Sequence, residues 1–461
     1  MRRIFIITAS LLLGYSYARG TEPGIGYGIA CIDITPRDSI RMNGYSNRIE
    51  PSVGISTPLQ ARALAIRDGR DRLALVLTLD LITIDEMLAG RIAGYAFERY
   101  QIPRERILIN ASHTHTGPVV HETLLEMGPL NPDELSVIEA YTKELESNLH
   151  RVIDQALIHL DEGSWTFGLG RAEISMNRRM FGPAGVRFGN NPDAPVDTDV
   201  PVLAIRDSTR ALKAVLFGYA CHATTLRNSR TLSADYIGYA RDYFEMAQNG
   251  VTSFFLQGCC GELNPYPRGN ETWARTHALN LAGSVARVIS RDMQPLGAQL
   301  ECAFKTIQLE IDRIPTVEQL NDIIAADTVA SSRQRQEIHF ARKLRAKLEN
   351  GESIPAFYSY PVQVWKFGGD LILAALGGEV TVDYSLRLKR ELGGNVWISG
   401  YSNDVRGYIG SNRILLEGGY EADHSTVYYQ LPSRWRMDVE NQIISTVHEL
   451  AASLDPVPSG Q

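Results

Sequence analysis

Two histidines at the end of an apolar segment are the residues of this sequence best placed to do chemistry. The apolar segment "RILINAS" leads into His113 and His115, which lie in "NASHTHTGP", Asn110–Pro118. In an extended backbone, residues i and i+2 point to the same face. Both imidazoles can therefore face one pocket, where both could bind a metal ion, or one could bind it while the other hydrogen-bonds a reacting carbonyl.

Several other predicted strands also end in residues that can bind a metal ion or a substrate. These strands run out into His222, into Glu262 and Asn264, into Glu379, and toward Tyr408. Ligand sites in α/β proteins collect beyond the carboxyl ends of strands, where loops from separate strands converge. Two or three imidazoles with one carboxylate suit Zn²⁺. Glu379 also follows Gly377–Gly378, and glycines allow the backbone to come close to an ion.

Each of these features has an ordinary structural explanation when it is taken alone. Two histidines in a loop can be satisfied by hydrogen bonds, and a histidine after a buried strand, such as His222, is often structural. The chain has 20 tyrosines, so amphipathic burial also explains Tyr408 and Tyr420. The convergence of several strand ends, rather than any single residue, indicates a metal site.

Strands and amphipathic helices alternate along the sequence. "ARALAIRDG" and "RLALVLTLD" predict two strands joined by a turn at Asp68–Gly69, and "IDEMLAGRIAGYAFERY" predicts a helix that ends before Pro103. Residues 133–160 predict a longer helix. We therefore expect an α/β fold in which a mixed β-sheet core is covered by helices within a single large catalytic domain.

The most polar and basic part of the sequence lies at about residues 315–350. Thr316 and Gln319 form a predicted capping box, and the sequence that follows predicts one helix over Pro315–Leu348. We interpret this part as a helical insertion at the periphery with a solvated face. An acid-binding surface is the alternative interpretation.

The first residues predict a secretory signal peptide over residues 1–18. Arg2 and Arg3 precede a short apolar stretch, and Ser16–Ala18 matches a small-x-small cleavage site. An uncleaved anchor is the alternative. No later apolar stretch is long enough to span a bilayer, so we expect the mature chain to be exported, periplasmic or secreted, with at most peripheral contact to a membrane.

The charge and the cysteine content argue against some classes of function. The chain has 461 residues and a formal net charge of −7 without a long basic tract, which argues against nucleic acid as a partner. Its five cysteines lack the CxxC spacing of a thiolate zinc site and are too few for a disulfide scaffold of this length, and we interpret Cys259–Cys260 as packing. The expected partner is then a small-molecule substrate, and the family resemblance below implies a lipid or glycoconjugate.

Five separated motifs resemble those of the neutral (non-lysosomal) ceramidases. "HTHTGP" is similar to the HTHSGP signature of that family, and "FGYACHAT" with the following "SADYIGYARDYFE" resembles its second histidine segment. Three later family segments are similar, in the same order, to "LQGCCGELNP", "GGEVTVDYSLRLK" and "YSNDVRGYIGSNRILLEGGYEA". The resemblance runs over about residues 24–450 and implies one zinc hydrolase domain over residues 24–455.

The resemblance implies roles for particular residues of this chain. It assigns the ligands of one Zn²⁺ per chain to His113, His222, Glu379 and Tyr408. It places His115, Arg178 (in "SMNRRM") and Tyr420 in the pocket, in contact with the scissile amide. A tyrosine ligand depends on the adjacent cation, because a free phenol ionises only near a pKa of about 10.

Two departures from the family pattern bear on the substrate. The family has a catalytic serine before the proline of its loop, where this chain has Asn264, and an aspartate where this chain has Glu262. Asparagine cannot act as a nucleophile, but its amide can donate a hydrogen bond to an oxyanion. The C-terminal β-sandwich domain of the family is also expected to be missing. The changed loop and the missing domain both put ceramide itself in question as the substrate.

The expected reaction is hydrolysis of an N-acyl bond, in ceramide or another lipid or glycoconjugate, by zinc-activated water. Zinc lowers the pKa of its water to about 7, and His115, Tyr420 or Asn264 would stabilise the oxyanion. Because Asn264 cannot form an acyl-enzyme, water must be the attacking group. Asp235 is expected either to orient a ligand imidazole or to cap a helix, and Asp80 is a similar candidate.

Two other functions stay open at this point. One is a zinc esterase or deacylase of the same architecture that acts on a non-ceramide substrate such as an acylated sugar. The other is a non-catalytic ceramidase-like binding protein, against which the retention of all four ligand types argues. A TIM-barrel hydrolase is disfavoured, because the histidine pair follows about four predicted strands and regular βα repetition is absent.

Overall fold

The computed structural model describes residues 24–121, 130–325 and 331–455. The predicted signal peptide, residues 1–18, lies outside these described residues. Within them, no helix is both long and apolar enough to cross a membrane.

The strands of the described residues are numbered in chain order. They are β1 (Ile25–Asp33), β2 (Gly54–Ile55), β3 (Gln60–Arg67), β4 (Leu73–Leu79), β5 (Ile107–Ala111), β6 (Asp161–Arg171), β7 (Ser175–Gly182), β8 (Gly185–Asn191), β9 (Asp199–Asp207), β10 (Leu212–Tyr219), β11 (Thr231–Leu232), β12 (Thr252–Gln257), β13 (Leu263–Pro265), β14 (Gln294–Pro295), β15 (Leu300–Glu310), β16 (Phe357–Phe367), β17 (Leu371–Leu376), β18 (Glu379–Val380), β19 (Asn395–Ser399) and β20 (Tyr408–Ile409).

The helices are numbered in the same way. They are α1 (Glu86–Tyr100), α2 (Pro132–Leu157), α3 (Asp235–Ala247), α4 (Glu271–Ile289), α5 (Val317–Ala325), α6 (Ser332–Glu349), α7 (Val382–Leu392), α8 (Asn412–Glu417) and α9 (Val439–Ser453). Two short 3₁₀ segments cover Arg104–Arg106 and Thr426–Tyr429, and a π-helical turn covers Tyr420–His424.

Two mixed sheets form the centre of the fold. The larger has nine strands in the order β12-β10-β9-β6-β1-β3-β4-β5, with β14 paired to β6. Its pairs β10–β12 and β4–β5 are parallel, and the other pairs along this order are antiparallel. The smaller sheet has four strands in the order β15-β16-β17-β19, of which β17 and β19 are parallel. The predicted mixed sheet is confirmed, and the second sheet was not predicted.

The two sheets pack against each other and helices cover their outer faces. Strand β3 shows the pattern, because its side chains alternate between the faces with a period of two. Leu64 and Ile66 pack toward Trp365 and Leu373 of the smaller sheet, in one apolar cluster. The small side chains of Ala61, Ala63 and Ala65 face the other way and share a cluster with α1 and α2. Helices α3 and α4 cover the remainder of the larger sheet, and α7 and α9 cover the smaller sheet.

Most local predictions agree with these elements. Strands β3 and β4 are antiparallel neighbours that flank the turn at Asp68. Helix α1 begins after Asp85, whose side chain accepts a hydrogen bond from the Leu88 amide, and it ends at the left-handed Gln101. An N-cap side chain such as Asp85 starts a helix at a defined residue, and a left-handed residue such as Gln101 ends it.

The predicted single helix over Pro315–Leu348 is wrong, because α5 and α6 are separate helices. The capping box is confirmed, since Thr316 and Gln319 exchange their two hydrogen bonds. Ser331 forms a second capping box and starts α6. The pair is also less peripheral than predicted: its apolar residues pack on Ile82 and on Val427–Tyr428. The insertion therefore covers part of the region described next.

Candidate metal centre

The three histidines of the candidate site come from the carboxyl ends of β5 and β10 in the larger sheet. His113 follows β5 by two residues, and His222 follows β10 by three. The ring nitrogens of His113, His115 and His222 that could bind a metal all lie within 4.8 Å of one another. The strand order places β5 and β10 on opposite sides of β1, but the sheet curves so that β12, the neighbour of β10, contacts β5 and brings the two strand ends close.

The backbone at His113 differs from the prediction. The extended geometry expected for the histidine pair is wrong, because His113 has a φ of 59°. A non-glycine residue in this left-handed region is uncommon and is found disproportionately at functional sites. The Nε2 atoms of His113 and His115 nevertheless lie 3.1 Å apart, so the pair faces one pocket as predicted.

Glu379 and Tyr408 reach the same point from the smaller sheet. The short strands β18 and β20 pair in parallel, with Glu379 directly opposite Tyr408. Gly378, just before Glu379, has a φ of 74°, and a Cβ there would lie 2.9 Å from the Gly407 oxygen. Glycine is therefore required at this turn, as the predicted close approach of the backbone implied.

The donor atoms of these residues converge on one carboxylate oxygen. The Oε2 atom of Glu379 lies 3.1 Å from Nε2 of His113 and 3.1 Å from Nε2 of His222. The hydroxyl of Tyr408 lies 3.5 Å from Nε2 of His222. The side chains of all four residues predicted as metal ligands therefore meet at one point in the structure.

Main-chain carbonyls fix which nitrogen of each imidazole carries the proton. Nδ1 of His113 lies 2.6 Å from the Ile82 oxygen, and Nδ1 of His222 lies 2.7 Å from the Cys260 oxygen. Nδ1 of His115 lies 3.1 Å from the Gly44 oxygen. A carbonyl only accepts hydrogen bonds, so each Nδ1 donates, and in the neutral tautomer the lone pair that can bind a cation is on Nε2.

The ionisation of the site supports this arrangement. Burial, with contributions from Arg178 and His113, lowers the pKa of His222 to about 4 in spite of Glu379. Burial and the neighbouring histidines lower the pKa of His115 well below its usual range. Burial acts to raise the pKa of Glu379, but His113 and His222 outweigh it, so the carboxyl is ionised. Imidazole nitrogens and an ionised carboxylate thus meet at one point, and a divalent cation fits this donor set.

The phenol of Tyr408 fits the same cation. Burial raises the pKa of Tyr408 well above its usual range, in spite of the nearby Arg178. A bound cation favours the phenolate, and Nη2 of Arg178 donates a hydrogen bond to the Tyr408 oxygen at 3.1 Å. Arg178 is itself held by Glu421, whose Oε1 accepts from Nε at 2.9 Å.

The remaining predicted pocket residues surround this centre. Oδ1 of Asn264 accepts hydrogen bonds from Nη1 of Arg178 at 3.5 Å and from Oγ1 of Thr224 at 3.3 Å. The ring of Tyr420 packs against that of Tyr408 at 5.4 Å, edge to face. The structure therefore brings together all eight residues that were predicted from the sequence as metal ligands or as pocket residues.

Two tyrosines that the sequence interpretation did not include bind Glu379. The Tyr401 hydroxyl donates to Oε2 at 3.3 Å, and the Tyr429 hydroxyl donates to Oε1. Tyr401 follows the end of β19 by two residues, so a search for polar side chains just after predicted strands could have found it. Tyr429 lies in a 3₁₀ segment with no such signal.

The two aspartates expected to assist the imidazoles contact other groups instead. The prediction that Asp235 orients a ligand imidazole is wrong, because main-chain carbonyls do so, and Asp235 instead accepts the amides of Leu226 and Tyr236. It is also the first residue of α3 rather than its N-cap. Asp80 forms a buried ion pair with Arg241.

Comparison with known proteins identifies the family. The family model for the N-terminal part of neutral/alkaline non-lysosomal ceramidases matches residues 24–295. This chain belongs to that family. The matched residues contain the three histidines, Arg178 and Asn264, whereas Glu379, Tyr408 and Tyr420 lie beyond them.

Curated relatives and solved structures agree with this assignment. Neutral ceramidase B of Dictyostelium discoideum is 24% identical over 275 residues, and neutral ceramidase A of the same organism is 25% identical over 276. Each match covers 53% of this chain and 36% of the relative, so the chain spans about a third of the length of these relatives.

The fold is that of solved ceramidases. The crystal structure of neutral ceramidase from Pseudomonas aeruginosa has a TM-score of 0.70 at 19% identity, over 95% of this chain and 76% of that chain. A ceramidase complexed with C2 gives the same TM-score and identity, over 95% and 77%. The predicted α/β class and the predicted family are both confirmed.

Metal binding is expected to depend on the four proposed ligands and not on His115. His222→Ala and Glu379→Ala should lose tight binding of Zn²⁺, because each removes a donor at the point of convergence. His115→Ala should keep it if His115 contacts substrate. Calorimetric titration and metal analysis measure the result, with the exposed His159→Ala as the control. Full zinc binding by Glu379→Ala would contradict the assignment.

Glu262 is expected to make stability depend on pH. Burial, reinforced by Asp383, raises the pKa of Glu262 to about 8, and its carboxyl accepts the Val382 amide at the start of α7. Arg413, at 3.9 Å, does not offset the burial because it is paired with Asp383 and Glu417. A raised pKa stabilises the fold fully below about 4.5, and this stability is lost as the pH rises through about 8.

Glu262→Gln should therefore match the wild type near pH 5 and melt at a higher temperature near pH 9. The glutamine still accepts the Val382 amide, so only the charge is removed. Thermal unfolding across this pH range measures the difference, with the exposed Glu352→Gln as the control. A variant that is less stable than the wild type at both pH values would contradict the expectation.

Proposed function

We propose that this chain is a hydrolase of N-acyl amide bonds that uses one Zn²⁺. The observation that carries the proposal is the convergence of two imidazole lone pairs on the Glu379 carboxylate, with Tyr408 beside them. Membership of the ceramidase family supports it, since ceramide is an N-acyl amide. When bound, Zn²⁺ supplies a Lewis acid that polarises a carbonyl and makes water a nucleophile near neutral pH.

Asn264 is proposed to donate to the oxyanion. Its Oδ1 is already taken by Arg178 and Thr224, which fixes the orientation of the amide and leaves Nδ2 to donate toward the substrate. The side chain offers no nucleophile, so the acyl group is not transferred to the protein. Water is then the attacking group in a single displacement.

His115 is better suited to accept a hydrogen bond than to stabilise an oxyanion. Its Nδ1 donates to the Gly44 oxygen, so Nε2 presents a lone pair. We propose that Nε2 accepts a hydrogen bond from the attacking water and orients it, since the lowered pKa of His115 makes the ring a weak base. Tyr420 can take the donor role instead, because burial raises the pKa of its hydroxyl and keeps it protonated.

The proposal is tested by metal removal and a panel of substrates. The purified protein should release fatty acid from N-acyl substrates, including a short-chain ceramide, and lose this activity on dialysis against a chelator. Added Zn²⁺ should restore it. The acyl esters of the same alcohols separate amide from ester hydrolysis. Activity that survives complete removal of metal, or hydrolysis of esters alone, would overturn the proposal.

Substitution of Asn264 tests the oxyanion role. Asn264→Ala should lower kcat by about 10²–10³ and leave KM nearly unchanged, because the hydrogen bond forms in the transition state. Asn264→Asp keeps the shape and loses the donor, so it should be at least as impaired. The exposed Asn228→Ala is the control. A normal kcat in Asn264→Ala would show that another group binds the oxyanion.

A further inference from the structure

A cavity of about 240 Å³ lies beside the proposed metal centre. It is lined by Arg178, Arg179, Val186, Arg187, Phe188, Arg333, Tyr420, Glu421 and His424. The hairpin of β7 and β8 forms one wall, the π-helical turn forms another, and Arg333 comes from α6. A cavity of this volume accommodates a compact polar group rather than a long alkyl chain.

The cavity and the metal centre share side chains. Arg178 lines the cavity and donates to the Tyr408 hydroxyl at 3.1 Å. The ring of Tyr420 also lines the cavity and packs against Tyr408 at 5.4 Å. A substituent a few bonds from a carbonyl held at the centre can therefore extend into the cavity.

Four guanidinium groups and one carboxylate line the cavity. Three of the arginines have carboxylate partners: Arg178 with Glu421 at 2.9 Å, Arg179 with Glu417 at 3.0 Å, and Arg333 with Glu337 at 3.2 Å. Among residues 24–121, 130–325 and 331–455, Arg187 has no carboxylate within 4.0 Å. Arg187 is therefore a guanidinium of the cavity whose charge is not paired by a carboxylate of the described residues.

Aromatic rings hold the inner guanidinium in place. The guanidinium carbon of Arg178 lies 5.2 Å from the centre of the Phe188 ring and 5.5 Å from that of Tyr420. The two rings lie 4.9 Å apart. Stacking on aromatic faces orders a guanidinium and leaves its edge free for hydrogen bonds.

The helix that supplies Arg333 adds a positive field. Its sequence, "SRQRQEIHFARKLRAKLE", contains six lysines and arginines and two glutamates. Clustered charge of one sign raises the local concentration of ligands of the opposite sign. The helical insertion at about 315–350, for which an acid-binding surface was the alternative interpretation, thus contributes to the cavity.

We propose that this cavity binds an acidic group, a carboxylate, sulfate or phosphate, that the substrate carries close to its scissile amide. The assignment rests on the proposed amide hydrolysis and names its substrate class. A charged group gains charge-assisted hydrogen bonds from Arg187 and Arg333 that the uncharged headgroup of ceramide cannot make. The preferred substrate is then an acidic N-acyl compound.

A matched pair of substrates tests the proposal. The α-amides of N-dodecanoyl-glutamate and N-dodecanoyl-glutamine have the same size, and the glutamate compound carries one carboxylate where the glutamine compound is uncharged. The zinc-loaded protein should hydrolyse the glutamate compound with a kcat/KM about tenfold higher, and a short-chain ceramide should resemble the glutamine compound. Added salt should reduce the difference. Equal kcat/KM values for the pair would overturn the proposal while leaving amide hydrolysis intact.

Variants locate the effect in the cavity. Arg187→Gln and Arg333→Gln should each raise KM for the glutamate compound about tenfold, with kcat unchanged, and alter the glutamine compound by less than twofold. Arg291→Gln, at an exposed arginine outside the cavity, is the control. An equal loss for both compounds would indicate a structural effect and overturn the proposal.

Binding separates this proposal from the proposed function. Calorimetric titration of the zinc-loaded protein with both compounds does not depend on turnover. Tighter binding of the glutamate compound that is lost in Arg187→Gln, without any hydrolysis, would keep the cavity assignment and overturn the amidase. Hydrolysis without a preference for the charged compound would keep the proposed amide hydrolysis and overturn the cavity assignment.

Discussion

The site depends on three hydrogen bonds that do not involve the reacting atoms. Main-chain oxygens of Ile82, Cys260 and Gly44 hold Nδ1 of His113, His222 and His115. With those protons committed, every Nε2 turns a lone pair to the centre, and two of them lie 3.1 Å from a carboxylate oxygen. A proton or a cation at this point removes the repulsion among these atoms, so the backbone contacts prepare a position that a metal ion can occupy.

The fold brings the donors together by placing strand ends from two sheets at one position. The larger sheet supplies the histidines, and the smaller supplies Glu379 and Tyr408 through two-residue strands that pair in parallel. The apolar layer between the sheets, which includes Trp165 and Trp365, fixes their separation. Packing that excludes voids resists small shifts, so the distances at the site follow from the core.

Local patterns predicted most of the secondary structure, because it depends on short-range signals, whereas several residues of the candidate site were named only through the family resemblance. The alternation in β3, the cap at Asp85 and the polar residues after β5 and β10 are all visible in sequence. The packing of the second sheet, the left-handed backbone at His113 and the role of Tyr429 depend on tertiary contacts, which no local pattern encodes. The same reason explains why Asp235, although close in sequence to His222, has neither of the two roles expected for it.

The division of the donors between the sheets sets a limit on how this polypeptide can be shortened. A fragment that stopped at residue 295, where the match to the family model ends, would retain three imidazoles and lose the acid and the phenol. Its larger sheet would also expose the apolar face that now meets Trp365. Neither portion holds all the residues of the candidate site, and the contacts within that site join the two parts of the chain as well as the peptide bond does.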